Sequence, residues 1–125
     1  MVQAGVLAGE DYRRETEKLI REHADGGAVI LGRAGAIILR DDPRALHVRL
    51  DGPVERRVER AMQAEGLDRE DAERLRKGGD RAREAYVRHF YGCDARDPSH
   101  YHLVIDSTAL PVEAVVEVIA AAVRR

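Results

Sequence analysis

Two arginines and one carboxylate in this sequence are spaced so that a helix would place all three on one face. They are Arg76, Asp80 and Arg83, separated by four and then three positions. Residues at these spacings are neighbours on a helix surface. Guanidinium groups bind phosphate oxygens in a fork, and a carboxylate accepts from a ribose hydroxyl or a base amine, so the pattern suits a nucleotide. A solvated face of salt bridges has the same pattern, and the residues alone leave both interpretations open.

Another arginine follows a run of apolar residues. Residues 28–31, Ala-Val-Ile-Leu, are followed by Gly32 and Arg33. A continuous apolar run predicts a strand that is buried on both faces. Ligands of α/β proteins bind at the carboxyl ends of such strands, where an arginine can hold a phosphate. Arg33 is therefore a candidate phosphate ligand, with a surface arginine or a structural salt bridge as the alternative.

A third group of arginines lies on the helix predicted after residues 46–50. Arg56, Arg57 and Arg60 fall within two turns of that helix. They can face an anionic ligand, or they can pair with neighbouring glutamates on an exposed helix face.

Other kinds of site are excluded or disfavoured. The glycines at 27 and 32 have the spacing of a Walker A loop, but Arg33 and Ala34 occupy its lysine and hydroxyl positions, so it does not fit. A single cysteine, Cys93, excludes an internal disulfide and a CxxC site. The histidines lack the spacing of a zinc site. We therefore assign no catalytic residue and predict no metal site.

Composition limits the possible function classes. The 125 residues predict a single domain, residues 1–125. The 21 basic and 23 acidic residues give a net charge of −2, which disfavours nucleic acid as a partner. No apolar stretch approaches the length of a membrane span, about 18 residues. No signal peptide is visible, so we expect a cytoplasmic protein without membrane partners.

Helices and strands alternate in the hydrophobic pattern, which predicts an α/β fold with a parallel sheet flanked by helices. The predicted strands span residues 28–31, 46–50 and 101–105, and the predicted helices span 10–24, 53–64, 69–77, 80–91 and a last segment from about residue 109. Gly78 and Gly79 predict a hinge between two of these helices. In the last helix one apolar stripe is formed by Val112, Val115, Val116, Ile119 and Val123.

Four of these segments, taken in order, resemble the C-terminal portion of the cytidylate kinase-like family, which are nucleoside monophosphate kinases of the P-loop class. The segments are Val29–Arg33, Leu46–Met62, the Arg76-to-Arg83 pattern with Tyr86 after it, and Tyr101–Leu110. The resemblance covers roughly residues 10–125. It implies a truncated three-layer P-loop NTPase-like fold, in which residues 67–92 form a lid-like helical segment.

The resemblance also implies roles for individual residues. Arg33, Arg76 and Arg83 would hold the acceptor phosphate, Asp80 would bind the nucleoside, Arg57 and Arg60 would face the ATP phosphates, and Asp106, Ser107 and Thr108 would lie near the adenine. Ala34 stands where cytidylate kinases often carry aspartate, so the cytidylate kinase-like branch is the closer match.

The Walker A part of the family, with its lysine and magnesium-binding hydroxyl, is not among these 125 residues. A complete member would transfer phosphate from ATP, with Mg²⁺, to a CMP-like monophosphate. We expect this short chain to be a kinase fragment that is inactive alone and secures neither ATP nor Mg²⁺. The alternative is a non-catalytic nucleotide-binding or protein-interaction module. Because the Walker A strand is central in the family's sheet, we also expect a homo-oligomer, or direct pairing of residues 28–31 with residues 46–50.

Overall fold

The computed structural model describes residues 2–124, and the side chains of residues 9–124. In this range helices surround a small parallel sheet, so the predicted α/β class is confirmed, and the arrangement is consistent with a truncated kinase-like fold. In chain order the elements are α1 (Val2–Asp25), α2 (Gly35–Ile38), β1 (Val48–Asp51), α3 (Val54–Glu65), α4 (Arg69–Tyr91), a 3-10 turn (Pro98–His100), β2 (Leu103–Asp106) and α5 (Val112–Val123).

The sheet consists of β1 and β2, which pair in parallel. Val48 lies opposite Leu103 and Asp51 lies opposite Asp106. Parallel neighbours require a long crossover connection, and here α3 and α4 provide it. Both strands begin two residues later than the sequence predicts, but the two predicted segments are confirmed. Each strand ends on an aspartate, so two carboxylates lie at the carboxyl edge of the sheet.

Residues 28–31 do not form a strand, and the predictions of a strand here and of its pairing with the next one are wrong. Val29 is 90% exposed and Leu31 is 87% exposed. Ile30, between them, packs against the buried group that includes Ile20. An apolar run becomes a strand only where a neighbouring strand accepts its backbone hydrogen bonds. In the part of the chain that the structure describes, β1 pairs with β2.

Six of the buried apolar residues form two small groups. One joins α1 to the segment around α2, and the other lies under the C-terminal half of α4. Their buried members are Ile20, Ile38 and Leu39 in the first, and Ile37, Val87 and Ala95 in the second. Successive residues of α2 thus contribute to both groups, which connects α1 to α4.

The α3–α4 hairpin has well-defined ends. Gly66 closes α3 with a φ of 66°, a left-handed conformation that glycine adopts without steric cost. Asp68 then caps α4, because its carboxylate accepts a hydrogen bond from the Asp71 amide at 2.8 Å. This cap fixes the direction in which α4 leaves the turn.

The predicted hinge at Gly78 and Gly79 is wrong, because α4 continues through both glycines as one 23-residue helix. Buried residues lie on both sides of them, Ala72 in the first half and Val87 in the second. Tertiary packing of both halves therefore outweighs the low helix propensity of two glycines, about 1 kcal/mol each relative to alanine.

Replacing Gly78 with alanine is expected to stabilise the protein by about 0.5–1 kcal/mol. A Cβ at this position would meet no atom within 4 Å, and the helical backbone already suits alanine. Urea denaturation would measure the gain. A loss of stability would instead show that α4 must bend at this point in solution.

Helix α5 leaves most of its valine side chains uncovered. Val115 is buried at 7% exposure, whereas Val112, Val116 and Val123 are 60%, 57% and 59% exposed. We call these last three residues the valine stripe. Among the described residues no helix is both long and apolar enough to span a membrane.

Candidate functional site

Three guanidinium groups converge on the carboxylate of Asp80. Arg57 binds it with two hydrogen bonds, Nη2 to Oδ1 at 2.7 Å and Nη1 to Oδ2 at 3.1 Å. Arg83 Nη2 donates to Oδ1 at 2.6 Å, and Arg76 Nη1 donates to Oδ2 at 3.2 Å. These four residues are the arginine cluster.

Two helices position the arginine cluster. Arg76, Asp80 and Arg83 share a face of α4, as their spacing predicts, and Arg57 comes from α3, which packs alongside. Gly79 lies directly below one of the arginines: a Cβ there would be 3.4 Å from Arg83 Nη1. The bare backbone of Gly79 thus leaves the Arg83 guanidinium free to reach across the helix.

The arginine cluster has more positive than negative charge, since three arginines surround one carboxylate. Burial by itself would raise the pKa of Asp80, but hydrogen bonds and charge from Arg57 and Arg83 outweigh it and hold the pKa below its usual value. Hydrogen bonding to Asp80 raises the pKa of Arg57 in turn. Arg76 Nε is buried and has no hydrogen-bond partner within the described structure. The Arg83 side chain, in contrast, is 61% exposed, so the cluster presents donors and positive charge that a phosphate could use.

Arg33 lies apart from these contacts, in a strained turn. Its guanidinium carbon is 6.0 Å from the ring centre of Tyr12 and 5.8 Å from that of Tyr86. Gly32, Arg33 and Ala34 have φ values of 71°, 55° and 59°, and a left-handed conformation costs a non-glycine residue about 1–2 kcal/mol. Tyr86 is one helical turn beyond Arg83, so Arg33 extends the basic surface along α4.

The turn after β2 is closed by its own side chains. Asp106 Oδ1 accepts from the amide and hydroxyl of Thr108 at 2.9 and 2.5 Å, and the Thr108 hydroxyl is the main cause that lowers the pKa of Asp106. Ser107 donates its amide to the Asp51 carbonyl at 3.2 Å. Arg60 lies beside this turn, with Nη2 at 3.4 Å from the Leu110 carbonyl. The residues predicted to lie near adenine thus form a rigid corner at the carboxyl edge of the sheet.

Comparison with known proteins identifies the family of this chain. The model of the cytidylate kinase-like family matches residues 2–109. The chain belongs to the cytidylate kinase-like family. The resemblance inferred from four short segments is thereby confirmed.

Two named proteins are similar to this chain, and one of them is a cytidylate kinase. The chain is 30% identical over 122 residues to cytidylate kinase of Methanopyrus kandleri, covering 90% of this chain and 63% of that kinase. It is 32% identical over 107 residues to uronate isomerase of Corynebacterium glutamicum, covering 86% of this chain but 20% of that protein. The chain therefore spans less than two-thirds of the length of either relative.

A solved structure supports the fold. An uncharacterised protein from Eubacterium ventriosum superposes on 91% of this chain with a TM-score of 0.81 and 24% identity, and 65% of that protein is covered. At this identity the likeness concerns the fold alone.

The acidic side chains at the carboxyl edge of the sheet do not form a magnesium site within the described structure. Among the described residues, no three His, Cys, Asp or Glu side chains come together in a way that could hold a metal ion. The aspartates at the ends of β1 and β2 are engaged by Arg49, Arg56 and the turn after β2. These aspartates therefore do not fit Mg²⁺.

A second polar region of the cytidylate kinase-like chain lies at the opposite edge of the sheet. The rings of His47 and His102 are stacked 5.1 Å apart, and the His47 amide donates to His102 Nδ1 at 2.9 Å. They line a cavity of about 310 Å³ with residues that include Arg40 and His100. The sequence shows a histidine group near residue 100, but it carries no sign that His47, 55 residues earlier, is the partner.

Proposed function

We propose that this cytidylate kinase-like chain binds a nucleoside monophosphate through the arginine cluster and, alone, does not transfer phosphate. In a complete kinase this portion would present the acceptor to ATP, which would make the whole protein a transferase of the P-loop NTPase fold. The observation that carries the proposal is the convergence of Arg57, Arg76 and Arg83 on one carboxylate.

The chemistry of the arginine cluster favours a phosphate that carries two negative charges. Such a group could replace Asp80 as the partner of Arg76 and Arg83, because charge-assisted forks to phosphate are as strong as those to carboxylate. Asp80 would then be free to accept hydrogen bonds from the nucleoside. Arg33, which lies against the ring of Tyr86 one turn beyond Arg83, would supply further positive charge to the acceptor phosphate.

The remaining predicted residues suit a donor nucleotide on the adjacent side. Arg57 and Arg60 are three residues apart on α3, so both can face the ATP phosphates once Arg57 leaves Asp80. The corner of Asp106, Ser107 and Thr108, beside Arg60, would lie near the adenine. Phosphate transfer itself requires a Walker A lysine and bound Mg²⁺. The residues that supply them are not among these 125. A cytoplasmic location fits such a substrate.

Calorimetric titration with CMP and with cytidine tests this proposal. We expect CMP to bind at low ionic strength and cytidine to bind far more weakly, because the phosphate supplies most of the attraction. Arg83→Ala should weaken CMP binding about tenfold, equal to about 1.4 kcal/mol. Arg74→Ala is the matched control: Arg74 is on the same helix, pairs with Glu70 and is 71% exposed, so its loss should leave CMP affinity almost unchanged.

Two results would contradict nucleotide binding. One is the absence of heat with CMP at millimolar concentration, and the other is an equal effect of Arg83→Ala and Arg74→Ala. AMP and ATP titrations under the same conditions would show which nucleotide the site prefers.

A second candidate function is a protein-interaction module without a nucleotide ligand. The exposed valine stripe favours it, because apolar side chains that stay in water usually mark a contact surface. A melting temperature that no nucleotide changes, together with a stable oligomer, would support this candidate instead.

A further inference from the structure

Helix α5 has two apolar faces, and this chain covers one of them. Val115 is buried against the rest of the protein, while the valine stripe stays more than half exposed. At 100° per residue, Val112, Val116 and Val123 lie within an arc of about 40° along three turns. Ile119 falls at the edge of that arc and is partly covered. The stripe is therefore a continuous apolar ridge that runs the length of α5.

The positions of these residues make the ridge complementary to itself. In an antiparallel pair of α5 helices centred between residues 117 and 118, Val112 meets Val123 of the second copy and Val116 meets Ile119 of the second copy. A two-fold axis relates such partners, so each contact occurs twice. No large side chain interrupts the ridge, and the small Ala120 lies beside it.

Charges at the ends of the ridge fit the same arrangement. Glu113 and Arg124 lie on one flank of the ridge, about 80° and 100° from its centre. A two-fold axis keeps this flank on one side of both helices. The antiparallel pair therefore brings Glu113 of each copy to the end where Arg124 of the other copy lies. Both residues are exposed and able to reach a partner. Glu117 also lies on that side but points further from the contact, towards solvent.

We propose that the valine stripe of α5 is the contact surface for a second copy of this chain, packed antiparallel about a two-fold axis. One helix per copy buries less than a standard protein interface, about 800 Å² per partner. We therefore expect a reversible dimer with a dissociation constant in the micromolar range.

Sedimentation equilibrium of the full chain, from about 1 to about 500 µM, tests the proposal. The wild-type chain should change from monomer to dimer across this range. Val116→Glu should raise the dissociation constant more than about tenfold, because it places a charge against Ile119 of the second copy. Val118→Glu is the matched control: Val118 is on the same helix, is 43% exposed and faces about 140° away from the ridge.

A charge exchange tests the orientation of the two helices. Glu113→Arg should weaken the dimer, since it sets two arginines together at each end, and Glu113→Arg with Arg124→Glu should restore it. A wild-type chain that stays monomeric at every concentration overturns the proposal, as does a Val118→Glu variant that weakens the dimer as much as Val116→Glu. A dimer in which the exchange restores nothing overturns the antiparallel arrangement. Circular dichroism of each variant verifies that α5 remains folded.

Discussion

Replacing Gly52 with alanine is expected to destabilise the fold by about 3 kcal/mol. Gly52 follows β1 with a φ of 146°, which side-chain-bearing residues rarely adopt. A Cβ there would lie 2.7 Å from Thr108 Cγ2 and 2.8 Å from Asp106 Oδ1. Backbone strain and overpacking each cost about 1–3 kcal/mol. The corner formed by Asp106, Ser107 and Thr108 must therefore open to accept the Cβ. Urea denaturation would measure the resulting decrease in the free energy of unfolding.

Gly66→Ala separates the two causes of this loss. Gly66 also has a positive φ, 66°, but a Cβ there would meet no atom within 4 Å. Its replacement should cost only the left-handed conformation, about 1 kcal/mol. If Gly52→Ala costs no more than Gly66→Ala, the close contact with Thr108 does not exist in solution.

Replacing Asp80 with alanine is expected to destabilise the protein by about 2 kcal/mol at neutral pH. The substitution leaves Arg57, Arg76 and Arg83 facing each other without a counter-charge. Removing one partner of a fully buried pair costs about 3–5 kcal/mol, and the 23% exposure of the Asp80 side chain reduces that figure. As control, Glu70→Ala removes the 84% exposed partner of Arg74 and should cost less than about 0.5 kcal/mol.

The stabilisation by Asp80 should depend on pH in a defined direction. The arginines lower the pKa of Asp80 in the folded protein below its unfolded value, about 3.9. The contribution is therefore complete above the unfolded pKa and is lost as the pH falls through the folded pKa. The stability difference between wild type and Asp80→Asn should be constant from about pH 7 to about pH 5 and should shrink below about pH 4. A difference that grows in acid would contradict the arginine cluster.

The fold was predictable where the signal is local. The two paired strands were predictable because apolar residues lie between turn signals, and the start of α4 at residue 69 because a helical pattern begins there. Residues 28–31 carry as strong a strand signal as β1, but pairing depends on a neighbour that sequence periodicity does not reveal. The exposure of the valine stripe on α5 was unpredictable for the same reason. Periodicity shows that a helix face is apolar, but it does not show whether the rest of the chain covers that face.

The part of the candidate site that lies within α4 was predictable from the sequence, whereas the contacts between α4 and other segments were not. The spacing of Arg76, Asp80 and Arg83 placed them on one helix face, which the structure shows. The bond from Arg57 to Asp80 spans 23 residues and depends on how α3 packs against α4. The approach of Arg33 to the rings of Tyr12 and Tyr86 depends on a left-handed backbone conformation at Arg33 itself. The sequence does not indicate this conformation, because the residue at this position is not glycine. The binding roles of these residues stay predictions until the titrations described above are made.

The separation of the two strands along the chain has a consequence for how the molecule folds. Val48 and Leu103 pair across 55 residues, and closing so long a loop carries a large entropic cost before any strand contact forms. The hairpin of α3 and α4 consists of contacts local in sequence, which form on a much faster timescale. Once formed, it holds the ends of β1 and β2 near each other and shortens the effective loop. We therefore expect the segment that carries the arginine cluster to fold before the sheet forms.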